Sequence, residues 1–359
     1  MGNYHYFTSF LFLQWNLFYR MINILENISL KRYNTFGIDT KAKYFVKVHS
    51  IDDIFDLLQT KQFQENRRII LGGGSNLLFR SDFQGLVILV EIKGVHFEGS
   101  TKSNTILKVA SGENWSDFVE LCVKNRLYGL ENLVSIPGKV GAAPVQNIGA
   151  YGVEQKDYLH KVEYIDSTTG KIEVVDKDEC KFEYRSSVFK GNLEGKAIIT
   201  NVYYELSREW KPNINYKDIK QELDKFSFVM PDAEYVLNTV KRIRKRKLPD
   251  PLDIGNAGSF FKNPVVDESQ FLTLKEKYPD IPYFLSNDKY KIPAAYLIEK
   301  CGWKGRSVGN CGVYDKHSLI LVNYGNASGE EIYQLSENIR QSVQEQFGIL
   351  LEREVIVVE

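Results

Sequence analysis

Cysteine is scarce in this sequence. Cys122, Cys180, Cys301 and Cys311 are all there is. None belongs to a C-x-x-C pair, and none has a histidine neighbour at zinc spacing. That excludes a zinc module and a disulfide framework, and leaves reduced thiols of a cytoplasmic protein. Net charge is missing too, with 46 Lys plus Arg against 46 Asp plus Glu. No whole-molecule field draws the chain to nucleic acid or to an anionic membrane, so any anion site must be local. Long apolar runs are absent. The stretch from Phe7 to Phe18 is broken by Gln14, Trp15 and Asn16, too short for a membrane span. It has neither a basic leader nor a small-residue cleavage site, which argues against a secretory signal. Met21 is followed by chain that reads as an ordinary start, so residues 1–20 are expected to be a non-native or disordered extension.

Several nucleotide and metal motifs are missing as well. No G-x-G-x-x-G follows a strand. No G-x-x-x-x-G-K-[ST] occurs, since Lys139, Lys171 and Lys196 follow glycine but precede neither Ser nor Thr. No H-E-x-x-H occurs. These absences disfavour a Rossmann dehydrogenase, a P-loop enzyme and a zincin. No metal site is expected.

What is present is an ordinary globular composition, 43% hydrophobic and 26% charged over 359 residues, enough for two or three domains. Strand-like and helix-like segments alternate irregularly. Tyr44–Val48, Arg68–Leu71, Gly85–Ile92, Ile106–Ala110, Ala197–Leu206 and Leu319–Val322 read as strands. Lys161–Val175 reads as a hairpin turning at Ser167-Thr168-Thr169-Gly170. Ser50 caps a helix carrying Ile54, Leu57 and Leu58. A helix from Trp115 to Arg126 sets Phe118, Leu121 and Cys122 on one side. Asp232–Lys247 is a helix with a very basic end, and Ala294–Lys300 a short one. Ser328 and Glu331 form a capping box for a helix with Ile332, Leu335, Ile339, Val343 and Phe347 on its apolar face, ended by Gly348. Leu350–Val358 reads as a strand with Glu352, Glu354, Ile356 and Val358 on one face. The irregular order argues for α+β. A shift of pattern around 208–215 suggests a domain boundary there.

Two glycine-rich loops stand out. One is Gly72-Gly73-Gly74-Ser75-Asn76. The other runs from Pro137-Gly138-Lys139-Val140-Gly141 to Gln146-Asn147-Ile148-Gly149-Ala150-Tyr151-Gly152, within a long stretch of few periodic signals. One such run alone is ordinarily a tight turn. Two can turn backbone N–H groups toward the pyrophosphate of a dinucleotide. Gln146 and Asn147 add amides suited to a ring's polar edge.

Together with Asn34-Thr35-Phe36-Gly37, Gly73-Gly74-Ser75-Asn76-Leu77-Leu78, Gly129-Leu130-Glu131, Ile136-Pro137-Gly138, Tyr184-Arg185-Ser186-Ser187-Val188-Phe189-Lys190, Gly255-Asn256-Ala257-Gly258-Ser259-Phe260-Phe261-Lys262-Asn263-Pro264 and Glu352-Arg353-Glu354-Val355, these loops resemble the UDP-N-acetylenolpyruvoylglucosamine reductase family. The match runs in order from about Ser29 to the C-terminus. The resemblance implies a two-lobed FAD-binding unit of the vanillyl-alcohol-oxidase (PCMH) type, residues 21–207 with the lobes split near 95. It also implies a C-terminal α/β substrate-binding domain, residues 208–359. The segment Trp210–Lys220 and Glu352-Arg353-Glu354 resemble the type I subclass, whose tyrosine loop closes over substrate.

The implied reaction reduces an enolpyruvyl ether to a lactyl ether in peptidoglycan precursor synthesis, with non-covalent FAD as cofactor and NADPH as co-substrate. By resemblance, flavin N5 gives a hydride to the vinyl CH2 carbon. Charge then builds on the neighbouring carbon and its carboxylate, and that carbon takes a proton. Arg185 matches the family arginine, whose fork suits a carboxylate. Glu354 matches the C-terminal carboxylate, and Ser259 the proton donor. Gly72, Gly73, Gly74, Ser75, Asn76, Leu77, Pro137, Gly138, Gly141, Gln146, Asn147, Gly149, Ala150 and Tyr151 match the flavin-binding loops. Tyr216, Lys247, Asn263 and His317 fall at positions of substrate contact. A monomer is implied. In isolation, Arg185 would read as a surface ion pair, Glu354 as an exposed strand residue, Ser259 as a helix cap and His317 as structural. The basic run Lys241–Lys247 would read as a solvated helix face.

Two other readings remain at this stage. A flavin oxidase of the same fold ordinarily tethers its cofactor through His or Cys, which neither glycine loop carries. An RNA-binding module would use the basic helix, but no aromatic residues interleave with its charges.

Overall fold

Ser50 shows how directly local chemistry sets an element. Its Oγ accepts the Asp53 N–H at 3.0 Å while Asp53 Oδ2 accepts the Ser50 N–H at 3.1 Å, a capping box that starts the helix Ile51–Leu58. Ile54, Leu57 and Leu58 are buried on its inner face. In this computed structural model residues 22–225, 230–286 and 288–359 are described. The expected extension at 1–20 lies outside them.

Among the described residues, the first lobe is a four-stranded sheet in the order Ile24–Ser29, Lys41–Val48, Phe83–Val90, Arg68–Leu71. The first pair is antiparallel and the rest parallel. The second lobe is a five-stranded antiparallel sheet in the order Lys171–Asp176, Leu159–Asp166, Ala197–Ser207, Asn104–Ala110, Val95–Ser100. The helix Trp115–Lys124 covers it with Trp115, Phe118, Val119 and Cys122 buried. Leu121, expected on that face, is instead 41% exposed. The buried set follows the i, i+3, i+4, i+7 spacing from Trp115, and Leu121 falls outside that stripe.

The third core lies under a four-stranded sheet in the order Gly255–Ser259, Ile320–Asn323, Cys311–Val313, Ser307–Val308. The helix Gly329–Phe347 packs into it through Ile332, Leu335, Ile339, Val343 and Phe347. Its capping box is as read: Ser328 Oγ accepts the Glu331 N–H at 3.2 Å and Glu331 Oε2 the Ser328 N–H at 2.7 Å. Gly348 ends it at φ 67°.

Two expectations are corrected. The change of core does not fall at 208. Ile219, Leu237, Val240 and Ile243, from the helices Lys217–Leu223 and Ala233–Lys247, belong to the second-lobe core. Ser207 ends a sheet strand, and from there the chain joins the third core, to which Phe36, Ile38 and Leu78 also contribute, only after Leu248. Nor does Leu350–Val358 form one strand. Only Ile356–Val358 is regular, paired in parallel with Leu77–Phe79. The Phe260 carbonyl accepts both the Glu354 N–H at 2.8 Å and the Val355 N–H at 3.4 Å. This doubling breaks the alternation, so Val355 and Val358 are buried and Ile356 is exposed. The same kink turns Glu354 inward.

Candidate functional site

The two glycine loops meet back to back. A methyl group on Gly73 would lie 2.7 Å from Gly138 Cα, and one on Gly74, at φ 62°, would collide with the Tyr33 carbonyl oxygen. Glycine is therefore required for this approach. Ser75 Oγ donates to the Pro137 carbonyl at 3.0 Å. Asn76 Nδ2 donates to Gln146 Oε1 at 2.6 Å and to the Glu354 carbonyl at 3.1 Å, tying both loops to the C-terminal tail.

The loops line a cleft of about 490 Å³ that opens toward the third core. A slot of about 240 Å³ continues from it, walled by Leu71, Val90, Val145 and Ile199. The buried Ser111 hydroxyl at that slot has no hydrogen-bond partner among the described residues. An apolar slot with an unpaired hydroxyl suits a flat heterocycle, and the backbone cradle beside it suits linked phosphates. The residues present thus fit a dinucleotide laid from slot to mouth. A larger groove of about 590 Å³ behind the second lobe, lined by Phe97, Leu121, Arg126 and Arg208, holds none of the expected site residues.

At the mouth the three expected catalytic side chains converge. Arg185 Nη2 donates to the Gly149 carbonyl at 2.9 Å, which aims the guanidinium across the cleft. Its Nε lies 2.8 Å from Glu354 Oε1. The Nε–H is not directed at that oxygen and, among the described residues, is buried without a hydrogen-bond partner. The guanidinium is thus charge-paired with Glu354 while its Nε–H points past that oxygen. Burial pushes the Glu354 carboxyl above its ordinary pKa, opposed by Arg185, Lys190 and Lys262. Ser259 ends the strand Gly255–Ser259 after an irregularity in which Gly258 takes φ 69°, and it lines the same cleft. Bulges that re-aim a side chain this way are common beside active sites.

Further out, the Tyr216 and Tyr151 rings meet edge to face at 5.3 Å. The loop before Tyr216 is tied down by Trp210 Nε1 donating to the Pro231 carbonyl at 2.9 Å and Asn132 Nδ2 donating to the Asn213 carbonyl at 2.8 Å. Lys247 Nζ donates to Asp218 Oδ2 at 2.6 Å. His317 lines the mouth. Burial lowers its pKa, and Lys247 and Lys304 lower it further against Asp218, so its imidazole is neutral at neutral pH.

Most expected flavin-loop residues line this cleft: Gly72 to Leu77, Pro137, Gly138, Gln146, Gly149, Ala150 and Tyr151. Gly141 lines the slot instead. Asn147 does not face the cleft. Its side chain is fully buried, with Nδ2 donating to Glu154 Oε2 at 2.9 Å and to the Glu183 carbonyl at 3.2 Å. It holds the loop's inner turn. Asn263 also stands apart from the cleft lining. Its Oδ1 accepts the Ala294 N–H at 2.9 Å, at the start of the helix Ala294–Lys300.

Arg244, Lys139, Lys190 and Lys262 were not among the expected site residues. Arg244 lies in the cleft wall, its Nε donating to the Ser135 carbonyl at 3.2 Å. A signal for it existed: Arg244 and Lys247 are three apart on the helix, beside buried Val240 and Ile243, so their face was not the solvated one. The Lys139 stem packs near Gly72, and burial, then Lys93, lowers its pKa. Lys190 and Lys262 oppose the rise in the Glu354 pKa.

A family model described as the C-terminal domain of UDP-N-acetylenolpyruvoylglucosamine reductase matches residues 250–358, and an FAD binding domain model matches residues 42–176. UDP-N-acetylenolpyruvoylglucosamine reductase of Flavobacterium johnsoniae is 43% identical over 94% of this chain and 100% of its own length. That of Photobacterium profundum is 42% identical over 93% of this chain and 95% of its own. The crystal structure of the Thermus caldophilus reductase shares the fold, with a TM-score of 0.65 and 24% identity over 94% of this chain and 99% of that one. Among the described residues no helix is long and apolar enough to cross a membrane.

Proposed function

Since this chain belongs to the UDP-N-acetylenolpyruvoylglucosamine reductase family, we propose that it binds FAD and uses NADPH to reduce UDP-N-acetylenolpyruvoylglucosamine to UDP-N-acetylmuramate. The observation that carries this is the convergence of Arg185, Glu354 and Ser259 on the mouth of the glycine-loop cleft. In that cleft FAD, reduced by NADPH, supplies the hydride for the vinyl CH2 carbon.

The residues do the rest. The Arg185 guanidinium, aimed across the cleft by the Gly149 carbonyl, takes the substrate carboxylate, where charge develops as the carbon–carbon double bond is consumed. Glu354, 2.8 Å from Arg185 Nε, orients that guanidinium beside those oxygens. Ser259 gives its hydroxyl proton to the carbon beside the carboxylate and regains one from solvent. Hydride and proton together saturate the double bond. Lys247, Tyr216 and His317 hold the UDP portion. Asn263 acts through the helix it caps. The substrate domain begins at about Pro249–Asp250, where the chain enters the third core.

The enzyme works as a monomer in the cytoplasm. Arg185, Glu354 and Ser259 all line the cleft of one chain, and the four cysteines are free, as in a reducing compartment.

The test is a visible spectrum before and after denaturation, then NADPH oxidation with the enolpyruvyl substrate. Flavin released into the filtrate and substrate-dependent NADPH oxidation are expected. Colour retained on the denatured protein points to a tethered-flavin oxidase. A protein that takes up no FAD overturns the reading.

A further inference from the structure

Among the described residues, two carboxylates line the cleft, Glu354 and Asp218. Each touches a cation that the proposed reaction assigns to an anionic part of the substrate. Glu354 stands 2.8 Å from Arg185 Nε, the partner of the substrate carboxylate. Asp218 accepts from Lys247 at 2.6 Å, which the proposed reaction sets against the UDP portion and so beside its diphosphate. Glu354 has a chemical task in that reaction, and Asp218 has none.

We propose that Asp218 is a positioning residue: it holds Lys247 in the substrate-free cleft, yields it to the diphosphate of the UDP-sugar, and reclaims it when product leaves. This rests on the proposed function.

The placement supports exchange. Asp218 follows Tyr216 by two residues on the helix Lys217–Leu223, so the ion pair joins the tyrosine loop to the basic helix end. That helix does not depend on the pair. Ile219 is fully buried in the second-lobe core, and Glu222 Oε2 accepts from Arg246 Nη1 at 3.0 Å. Lys247 can therefore let go while Tyr216 stays in place. The pair is partly exposed, with side-chain exposures of 39% for Lys247 and 24% for Asp218, so water can stabilise either partner during the exchange. Arg244 and His317 line the same mouth. A diphosphate carries more charge than one carboxylate and wins Lys247. Asp218 then faces it as a like charge, which weakens binding and hastens release.

A purely structural tie between two helices makes the opposite forecast. Its loss would loosen Tyr216 and weaken nucleotide binding. Titrating the FAD-loaded full chain with UDP by calorimetry separates the two. Asp218→Asn is expected to bind UDP roughly fivefold tighter than wild type. The KM for the enolpyruvyl substrate should fall with it, and kcat should fall because product leaves more slowly. Asp218→Glu, which keeps the charge, should stay near wild type. UDP affinity that is unchanged or weaker in Asp218→Asn, with an intact flavin spectrum, overturns the proposal. If the asparagine variant does not retain FAD, Asp218→Ser reads the same affinity. Wild-type protein that binds no UDP at all would sink the substrate assignment itself, a result distinct from a failure of Asp218 alone.

Discussion

Replacing Arg185 by lysine keeps a positive charge beside Glu354 and removes the guanidinium fork. The native side chain makes two contacts at once, Nη2 to the Gly149 carbonyl at 2.9 Å and Nε against Glu354 Oε1 at 2.8 Å. Its Nε–H is not aligned on the Glu354 oxygen. A lysine ammonium is a single point on a flexible stem and cannot occupy these places together. The lost interaction is one charge-assisted hydrogen bond to an oxygen that gains charge in the transition state, worth about 2–3 kcal/mol. At about 1.4 kcal/mol per decade, Arg185→Lys should slow the oxidative half-reaction about 30- to 150-fold. Reduction of the flavin by NADPH should be nearly unchanged, because no substrate carboxylate takes part in it. Stopped-flow absorbance resolves the two steps: bleaching on NADPH, then recovery when the enolpyruvyl substrate is mixed in. If recovery in the variant stays within about threefold of wild type, less than 1 kcal/mol, Arg185 is not the carboxylate partner.

Ser259→Ala should leave NADPH-driven bleaching intact and slow recovery by about 100- to 10,000-fold, the range for losing a positioned proton donor; normal turnover would remove Ser259 from that role. Gly73→Ala places a methyl 2.7 Å from Gly138 Cα, forcing the two loops apart. It should weaken FAD binding by about 2–3 kcal/mol, read as loss of the visible spectrum on gel filtration; full retention of colour would show that the loops do not form the cradle. Glu354→Gln tests the buried carboxyl through stability. Its raised pKa means that the folded state favours the protonated form, a contribution present at low pH and lost as pH rises through the raised value. The urea midpoint of the variant should therefore gain on wild type as pH rises from the ordinary carboxylate range, and a gap that does not widen there would count against burial as the dominant cause.

Local chemistry was legible where an element's signals agree with one another. The helix Gly329–Phe347 carries a capping box, a continuous apolar stripe and a left-handed terminal glycine, and all three fall where periodicity sets them. The hairpin turn at 167–170 likewise joins Leu159–Asp166 to Lys171–Asp176. Where one pattern had to decide alone, it failed. Alternation over Leu350–Val358 could not reveal that the Phe260 carbonyl takes two consecutive N–H donors. A change of texture at 208 could not reveal that the helices beyond it pack back on the second lobe, because which core buries Ile219 or Ile243 is a long-range fact.

The candidate site was assigned by resemblance, residue by residue, and the structure brings most of those residues to one cleft. Glu354 comes into the cleft because the tail pairs with Leu77–Phe79, the strand that directly follows the first glycine loop. Asn76, the last residue of that loop, then bonds the Glu354 carbonyl and Gln146 of the second loop. The cradle and the carboxylate thus share one hydrogen-bonded junction. Asn147 sits one residue past Gln146 yet faces the other way, because at φ 45° the backbone turns between the two. Sequence adjacency suggested two amides with one task. The turn gives Gln146 to the cleft and Asn147 to Glu154 and Glu183, so one residue shapes the wall that the other lines.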